Sequence, residues 1–470
     1  MTIRFSAVLI FLASACAQPS VVVQNVTVID GSGGDAKPGQ SVLIRDGRIE
    51  SIEPAASFRV PRGAEIIDGT GRWLMPGLID MHAHVVLGPA QIGASGGSMD
   101  VTDPTVASWS LRTLLAFGVT TIRDPGGVAS LAVAVRDSVA RGQLIGPRIL
   151  TAGDIINHTA FPGLAEQVRT PDDVRAAVRR QAGLGVDYIK LYTSLDSASV
   201  AAGIDEAHRA GKKVIGHLFA TSWTEAAGMG IDYLVHSFPL SPKLLTPERR
   251  AAWRASMVRN AGFMFQWHEF YEPESAEADS MIEALVARRI PHDPTLAIFE
   301  AIAWGDSARI IDAPDLVHAP PSMLENWRTA FTLSAGFTPA DYDRARRTWP
   351  LVRRFVKQLH DRGVLLTTGS DANNPWVPAG PSLHREFELL VEAGIPPREV
   401  LRMATRNGAE ALGILDQTGT VEVGKQADLL LLDANPEVDI ASTRSIVWVM
   451  RGGTRWIPSD LLAGRAKTRP

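Results

Sequence analysis

Short apolar runs alternate with amphipathic stretches over residues 76–412. Seven of these runs have the length and composition of buried strands: "GLIDMHAHV", "VTTIRD", "RILTAG", "DYIKLY", "KVIGHL", "DYLVHS" and "VLLTTGSDA". Stretches such as "TPDDVRAAVRRQAGLG", which lie between them, have helical spacing. The repeated order of strand then helix predicts a parallel sheet with right-handed crossovers. With a vaguer run near "RRIPHDPTL" as an additional strand, the pattern predicts an α/β fold, a (β/α)8 TIM barrel.

Both ends of the chain have a strand-like pattern instead. Near the N-terminus, Asp-Gly pairs at Asp30-Gly31 and Asp46-Gly47 separate β-branched runs, which is typical of hairpins. "GTVEVGKQADLLLLD" and "SIVWVMRGGTRW" near the C-terminus have the same character. We therefore predict a small β-sandwich domain formed by both termini. The expected domain limits are 21–75 and 413–470 for the β-sandwich and 76–412 for the barrel.

The first twenty residues are predicted to be a signal peptide. Arg4 precedes "FSAVLIFLASA", an apolar run too short to span a bilayer comfortably. The mature chain is therefore expected to be exported to the periplasm of a bacterium. Cys16, the only cysteine, lies where a lipoprotein would carry its lipid, so a lipid anchor to the membrane and plain export both stay open. A single cysteine excludes a disulfide within the chain.

Composition narrows the class of partner. The chain has 470 residues, of which 45% are hydrophobic and 21% charged, an ordinary balance for a large globular core. Its net charge of −4 gives no electrostatic basis for binding nucleic acid. A small-molecule substrate is the expected partner, and association into a homo-oligomer stays open.

Polar residues occur where the predicted strands end, which is where parallel barrels carry their active sites. His82 and His84 are two apart on the first strand, so their imidazoles face the same side. The later strands end in Lys190, His217, His236 and Asp371. Imidazole and carboxylate are common ligands of Zn²⁺. Each residue alone has an ordinary explanation as a core histidine, helix cap or surface lysine, but their convergence on one rim favours a metal site.

Lys190 is the least expected of these residues. It lies in the middle of the apolar strand "VDYIKLYT". A lone buried ammonium group is costly to desolvate, so it must pair, lose its charge or reach the surface. Lys190 therefore either extends to the surface or is chemically modified.

The motifs that surround these residues carry a resemblance to a known family. They are "LMPGLIDMHAHV", "GVTTIRDPGG", "VDYIKLY", "VIGHLF", "LVHS", "TTGSDAN", "REFELLVEAGIPPREVLRMATRNGAEALG" and "GTVEVGKQADLLLLDANP". Through them the chain resembles the amidohydrolase superfamily, in the branch of imidazolonepropionase-like and prolidase-like binuclear metal-dependent amidases. Flanking residues in "GHLF" and "VHSF" depart from the pattern of that branch, so the resemblance does not define a substrate.

The resemblance implies two divalent metal ions, expected to be Zn²⁺. His82, His84 and Asp371 would bind the buried metal, and His217 and His236 would bind the second. Lys190 would be carbamylated by CO₂ and would bridge the two metals, which explains a lysine inside an apolar strand.

The resemblance also implies a hydrolase that acts on carbon–nitrogen bonds. The expected substrate is a dipeptide or an N-acyl amino acid, attacked by hydroxide while Asp371 acts as general base and then general acid. Hydrolysis of a lactone or ester and deamination of a ring remain alternatives on the same metal centre, although mononuclear deaminases generally lack the bridging lysine. A non-catalytic envelope lipoprotein that binds a ligand is the alternative from another class.

Two residues are predicted to contact substrate. His158 follows the third strand, and Tyr192 lies two residues after Lys190 and so on the same face. A hydrogen bond to the backbone for His158 and a packing role for Tyr192 stay open. Weaker candidates come from the Trp-rich segment 240–350, which could form a lid or simply cover the barrel. They are Trp267, His268 and His292.

Overall fold

The computed structural model describes residues 20–93, 96–100, 103–258, 260 and 262–465 of the chain. Cys16 and all but the last residue of the predicted signal peptide lie outside these residues, so export and lipid anchoring stay predictions. Within the described residues, no helix has both the length and the apolar character needed to cross a bilayer.

Eight parallel segments form a closed barrel. Seven of them are strands: Leu78–Asp80, Val119–Asp124, Arg148–Thr151, Tyr188–Leu191, Lys213–Gly216, Tyr233–Val235 and His292–Asp293. The eighth, residues 365–371, is held by single parallel bridges from Leu366 to His292 and, just beyond it, from Ala372 to Ala83. Another bridge joins Ala152 to Tyr188 and connects the third strand to the fourth. The predicted (β/α)8 barrel is confirmed.

Helices cover the outside of the barrel and begin where the sequence supplies capping residues. For the helix Pro171–Leu184, Thr170 and Asp173 form a capping box, and Gly185 ends the helix in a left-handed conformation. The helices before and after residues 240–330 are Pro104–Ala116, Ala129–Ala140, Pro171–Leu184, Ser197–Arg209, Trp223–Met229, Pro339–Asp361, Pro381–Glu392, Pro397–Arg402, Met403–Asn407 (π), Gly408–Leu412, Ile440–Arg444 (3₁₀) and Pro458–Leu462.

The Trp-rich segment is largely helical. Its helices are Pro242–Leu244 (3₁₀), Pro247–Ser256, Phe263–Phe270, Ala276–Ala287, Leu296–Ala303, Ala308–Ile311, Pro314–His318 (3₁₀) and Pro321–Thr329. Trp253, Trp267 and Trp327 are buried in hydrophobic clusters, and Trp304 packs against the barrel core. These tryptophans therefore cover the barrel and hold the segment against it.

Both termini contribute to one β domain. Its strands are Val21–Val28, Lys37–Arg45, Arg48–Pro54, Glu65–Asp68, Trp73–Pro76, Leu429–Leu432, Ile446–Arg451 and Thr454–Trp456, joined in a single hydrogen-bonded sheet. Asp46 and Gly47 form the tight turn expected of an Asp-Gly hairpin, each with positive φ. Alternate residues face opposite sides: Leu429 and Leu431 pack in the core of the domain, whereas Leu430 and Leu432 pack against the barrel.

Two short elements lie at the barrel mouth. Ala90–Gly93 pairs with Gly96–Met99 as a hairpin, and Ile155–Asn157 pairs with Ala165–Gln167. Ile156 pairs with Leu191 at the end of the fourth barrel strand. The loop after the third strand is thereby held beside Lys190.

Candidate active site

The barrel opens into a cavity of about 460 Å³ at the end where the strands finish. All six residues predicted as metal ligands line it: His82, His84, Lys190, His217, His236 and Asp371. They come from five different strand ends, so closure of the barrel brings together residues that are far apart in sequence.

His82, His84 and Asp371 form one potential metal-binding group. Oδ1 of Asp371 lies 3.6 Å from Nε2 of His82 and 3.3 Å from Nε2 of His84. The potential ligand atoms of the three residues all lie within 4.8 Å of one another. This nitrogen and oxygen set fits a divalent cation such as Zn²⁺.

The far side of each imidazole is occupied, which fixes its orientation. Nδ1 of His82 donates to Oδ1 of Asp293 at 3.0 Å, and Nδ1 of His84 donates to the carbonyl oxygen of Gly126 at 2.8 Å. Because both acceptors are oxygens, each Nδ1 carries the proton. The Nε2 lone pairs therefore point into the cavity, as metal ligands require.

His236 and His217 form the second half of the site. The Thr295 hydroxyl donates to the carbonyl of Pro294 at 2.8 Å, so its oxygen accepts from Nδ1 of His236 at 2.7 Å. This leaves Nε2 of His236 free for a ligand. The ring centroid of His217 lies 4.3 Å from that of His236, and Tyr192 packs edge-on against His217 at 4.5 Å. The two imidazoles therefore lie beside each other in the cavity.

Lys190 is buried in the same cavity. Its side chain is 1% exposed, and Nζ has no hydrogen-bond partner among the described residues. Burial, with a further contribution from the Arg123 guanidinium, lowers the pKa of Lys190 to about 7. The amine is thus more readily neutral than an ordinary lysine, and it does not reach the surface.

Burial also controls the charges of the other residues. It lowers the pKa of His82, His217 and His236 well below the usual range, so these rings are neutral. For His84, burial is outweighed by the neighbouring Asp371, which raises the pKa of that ring. Burial alone would raise the pKa of Asp371, but the neighbouring His82 and His84 outweigh it and lower that pKa. Asp371 is therefore a carboxylate at neutral pH.

The backbone is strained at three positions of the site. His236, Thr295 and Asp371 have φ values of 65°, 51° and 58°, in the left-handed region that non-glycine residues rarely adopt. Such residues cost about 1–3 kcal/mol each and cluster at functional sites. Here the strain turns the side chains of His236 and Asp371 into the cavity.

The predicted substrate residues differ in position. Tyr192 lines the cavity, whereas His158 is not among its described lining residues, and its Nδ1 donates to the carbonyl of Val168 at 3.0 Å. The three weaker candidates, Trp267, His268 and His292, are buried and do not line the described cavity either. Each hydrogen-bonds a backbone carbonyl, of Ser241, Ser237 and Leu234 respectively. These residues hold the scaffold together rather than face the cavity.

The structure adds supporting residues that the strand-end pattern missed. Arg123 and Asp293 are both fully buried, and Nη2 of Arg123 donates to Oδ2 of Asp293 at 2.7 Å. Nδ2 of Asn374 donates to Oδ1 of Asp371 at 2.7 Å. The arginine inside "VTTIRD" was a detectable signal, because a cation in an apolar strand needs a buried partner just as Lys190 does.

A second buried carboxyl group, that of Glu386, lies behind the site. Glu386 accepts a hydrogen bond from the backbone N–H of Ala297 at 2.8 Å, in the first turn of the helix Leu296–Ala303. Thr295, which orients His236, immediately precedes this helix. Burial raises the pKa of Glu386 to about 8. Nothing in the helical pattern around Glu386 distinguishes it from a surface carboxylate.

Comparison with known proteins gives consistent relatives. Residues 337–455 match the model of the amidohydrolase family. The chain is 25% identical over 419 residues to imidazolonepropionase of Bradyrhizobium sp., covering 86% of this chain and 91% of the relative. It is 34% identical over 417 residues to adenine deaminase 3 of Rhizobium meliloti, covering 87% of this chain and 54% of that protein.

A solved structure supports the fold over nearly the whole chain. A Xaa-Pro dipeptidase with methionine bound in its active site superposes with a TM-score of 0.68. The match covers 93% of this chain and 99% of the dipeptidase, at 22% sequence identity. At that identity, the similarity extends to the fold alone.

Proposed function

Because the chain belongs to the amidohydrolase superfamily, we propose that it is a binuclear metal-dependent hydrolase that cleaves an amide bond. The observation that carries this proposal is Lys190, a buried amine that has no hydrogen-bond partner among the described residues and lines the same cavity as the other predicted metal ligands. A plain ammonium group there would repel two cations. A carbamylated lysine would be an anion with two oxygens, suited to bridging them.

The donor set supports two zinc ions. His82, His84 and Asp371 would hold the buried ion, His217 and His236 would hold the second, and carbamylated Lys190 would contact both. Neutral imidazoles and carboxylates suit Zn²⁺ and similar metals. When bound, these ions would supply an activated water and a Lewis acid for the substrate carbonyl.

The chain's own residues would move the proton. Asp371 is a carboxylate held in place by Asn374 and directed into the cavity. It would accept the proton of the attacking water and deliver it to the leaving amine. The apolar walls of the cavity would keep other water away from the reacting groups. A dipeptide or an N-acyl amino acid remains the substrate class expected from the sequence.

Deamination of a ring is the second candidate. The similarity to adenine deaminase 3 of Rhizobium meliloti favours it. Lys190 favours the binuclear amidase, because a mononuclear site has no use for a bridging lysine.

Metal content and turnover together test the proposal. The chain produced without its first sixteen residues would be dialysed free of loose metal, and its zinc content measured per chain. About two equivalents and hydrolysis of amides that a chelator abolishes are expected. About one equivalent with release of ammonia from adenine-like rings would favour the deaminase. No metal and no activity on reloading would overturn the hydrolase and favour a binding protein.

Asp371→Asn tests the assigned proton transfer. The change keeps the size of the side chain and should leave the fold intact, while turnover falls by about 10²–10⁴-fold. An active Asp371→Asn enzyme would overturn that role. Asp187→Asn, at the opposite end of the fourth barrel strand, makes the same chemical change away from the cavity and should keep turnover.

We also propose that the mature chain is exported and carries its lipid on Cys16. Labelling cells with a radioactive fatty acid and comparing the chain with Cys16→Ser tests this. Label that disappears in the variant supports lipidation; an unlabelled wild-type chain in the periplasm supports plain export.

A further inference from the structure

The cavity that contains the predicted metal ligands is wider than those ligands need. Its volume of about 460 Å³ is in the range that holds a drug-sized small molecule. Fifteen of its described lining residues are apolar, and five of these are phenylalanines: Phe161, Phe219, Phe263, Phe299 and Phe331. The space beside the reacting centre is therefore a hydrophobic compartment.

The lining carries very little charge. Outside the six predicted metal ligands, every described lining residue is uncharged. The polar ones are Asn157, Thr159, Tyr192, Thr193 and Asn374. Lys190 is the only lysine or arginine in the described lining, and it lies among the metal ligands.

Part of this polarity is already used within the protein. Oδ1 of Asn157 accepts from the hydroxyl of Ser194 at 2.6 Å, and Nδ2 of Asn374 donates to Asp371 at 2.7 Å. The Tyr192 hydroxyl has no hydrogen-bond partner among the described residues. It remains available as a neutral donor to a substrate oxygen.

We infer that the substrate is a neutral, apolar amide: a hydrophobic acyl or aryl group fills the cavity, and no free carboxylate enters it. The inference rests on the proposed hydrolase function and narrows its substrate class. An apolar group that moves from water into this lining gains the hydrophobic effect. A carboxylate that enters loses its water and, apart from Lys190 among the predicted metal ligands, meets no arginine or lysine in the described lining to compensate. Among dipeptides and N-acyl amino acids, those with blocked carboxyl groups fit.

Matched anilides test the role of charge. The probes are 4-(phenylacetylamino)benzamide and 4-(phenylacetylamino)benzoic acid, which share the scissile amide and nearly the same shape. The neutral probe should have the larger kcat/KM by at least about tenfold, because the buried carboxylate is unpaired. The kcat/KM for 4-(acetylamino)benzamide, which lacks the phenyl ring, should be lower than that for the neutral probe by at least about tenfold, because the smaller compound leaves apolar lining unfilled.

An introduced cation tests the lining itself. Leu333 lines the cavity and is only partly buried, so Leu333→Lys should raise kcat/KM for the benzoic acid probe relative to the benzamide. Phe331→Lys serves the same purpose if the first variant does not fold. The matched control is Leu351→Lys, at an exposed leucine on the outer helix Pro339–Asp361, which should leave the ratio unchanged.

Binding separates this inference from the hydrolase function. The affinities of the benzamide and the benzoic acid probes are measured by calorimetry on metal-loaded Asp371→Asn protein. This variant cannot turn the probes over if Asp371 has its proposed role. Selective binding of the benzamide without any turnover by the wild type would overturn the hydrolase and support the apolar substrate class. If the benzoic acid probe is bound and turned over as well as the benzamide or better, the proposed class of neutral, apolar substrates is wrong, whereas the proposed hydrolase function is supported.

Discussion

Nδ1 of His82 lies 3.0 Å from Oδ1 of Asp293, and neither side chain is exposed by more than 2%. The other oxygen of Asp293 accepts from Arg123 at 2.7 Å. The three residues come from different barrel strands or their ends. One buried carboxylate therefore fixes the tautomer of a predicted metal ligand and neutralises a buried guanidinium at the same time.

Asp293→Asn should weaken metal binding. The amide of asparagine is a poorer acceptor than the carboxylate, so His82 would be less firmly oriented and less basic. Arg123 would also lose the charge that neutralises it. We expect metal affinity to fall by about 10–100-fold, as is typical for partners of ligating histidines. Competition with a chelator of known affinity, followed by metal analysis, measures the change.

Asp187→Asn is the matched control for that experiment. Asp187 also pairs with an arginine, Arg136, at 3.0 Å, but at the opposite end of the fourth barrel strand. The Asp187→Asn substitution should therefore alter the stability of the protein without changing its metal affinity. Equal metal affinity in Asp293→Asn and the wild type would contradict a supporting role for Asp293.

Lys190→Ala should remove the proposed bridge between the metals. Zinc content is expected to fall from about two equivalents to about one or fewer, with loss of turnover, because the second ion loses an anionic ligand. Acetate or propionate at high concentration should restore part of the zinc content and part of the turnover. A small carboxylate fits the space left by the side chain and replaces the missing anion.

A neighbouring lysine shows whether the effect is specific. Lys213→Ala, at the exposed start of the fifth strand, should keep both zinc ions and full activity. Two zinc ions in Lys190→Ala without added carboxylate would mean that Lys190 does not bridge.

The strand-end pattern was sufficient to predict the barrel and the six residues that meet in its cavity. Period and composition define the first six barrel strands and the last barrel segment well, because each is a short apolar run bounded by polar or glycine residues. Since every parallel strand ends at the same rim, residues such as His82 and His236 could be placed together without knowing any distance.

The supporting residues could not be predicted in the same way. The seventh strand has only two residues, His292 and Asp293, and is paired on either side by contacts distant in sequence. The role of Asp293 depends on Arg123, which is 170 positions away, and that of Glu386 on a helix that begins at Leu296. Such pairs become visible only when the barrel closes.

Gly369→Ala should destabilise the protein and disturb His82. A Cβ atom at position 369 would lie 2.8 Å from Cβ of His82 and 3.2 Å from Cβ of Asp293, closer than buried atoms pack. We expect a loss of about 1–3 kcal/mol in the free energy of unfolding, measured by urea denaturation, together with weaker metal binding.

Gly183→Ala should have the opposite effect on stability. Gly183 lies in the helix Pro171–Leu184, and a Cβ atom there would meet nothing within 4 Å. Alanine is the better helix former by up to about 1 kcal/mol. A Gly369→Ala protein as stable as the wild type would contradict the close approach of the last barrel segment to His82.

Glu386→Gln should change how stability depends on pH. Burial raises the pKa of Glu386 from 4.5 to about 8, so the folded protein keeps a proton that the unfolded chain releases between these values. The stability that Glu386 contributes is therefore fully present below pH 4.5 and is lost as the pH rises towards 8, by at most about 1.4 kcal/mol per pH unit. Glutamine cannot ionise, so the free energy of unfolding of Glu386→Gln should rise relative to that of the wild type from pH 5 to pH 8.

Urea denaturation of Glu386→Gln and the wild type at pH 5, 6, 7 and 8 measures the difference between their free energies of unfolding. The zinc concentration is the same in all samples, so the effect of zinc that the two proteins share drops out of this difference. Glu388→Gln is the control: Glu388 lies two residues further on the same helix, partly exposed and paired with Arg385 at 2.8 Å. Such a pair contributes only about 0–1 kcal/mol, so its removal should have a small effect at every pH. A pH-independent difference between Glu386→Gln and the wild type would mean that Glu386 is ionised in the folded protein. The N–H groups that begin the helix Leu296–Ala303 would then hold a carboxylate rather than a neutral acid.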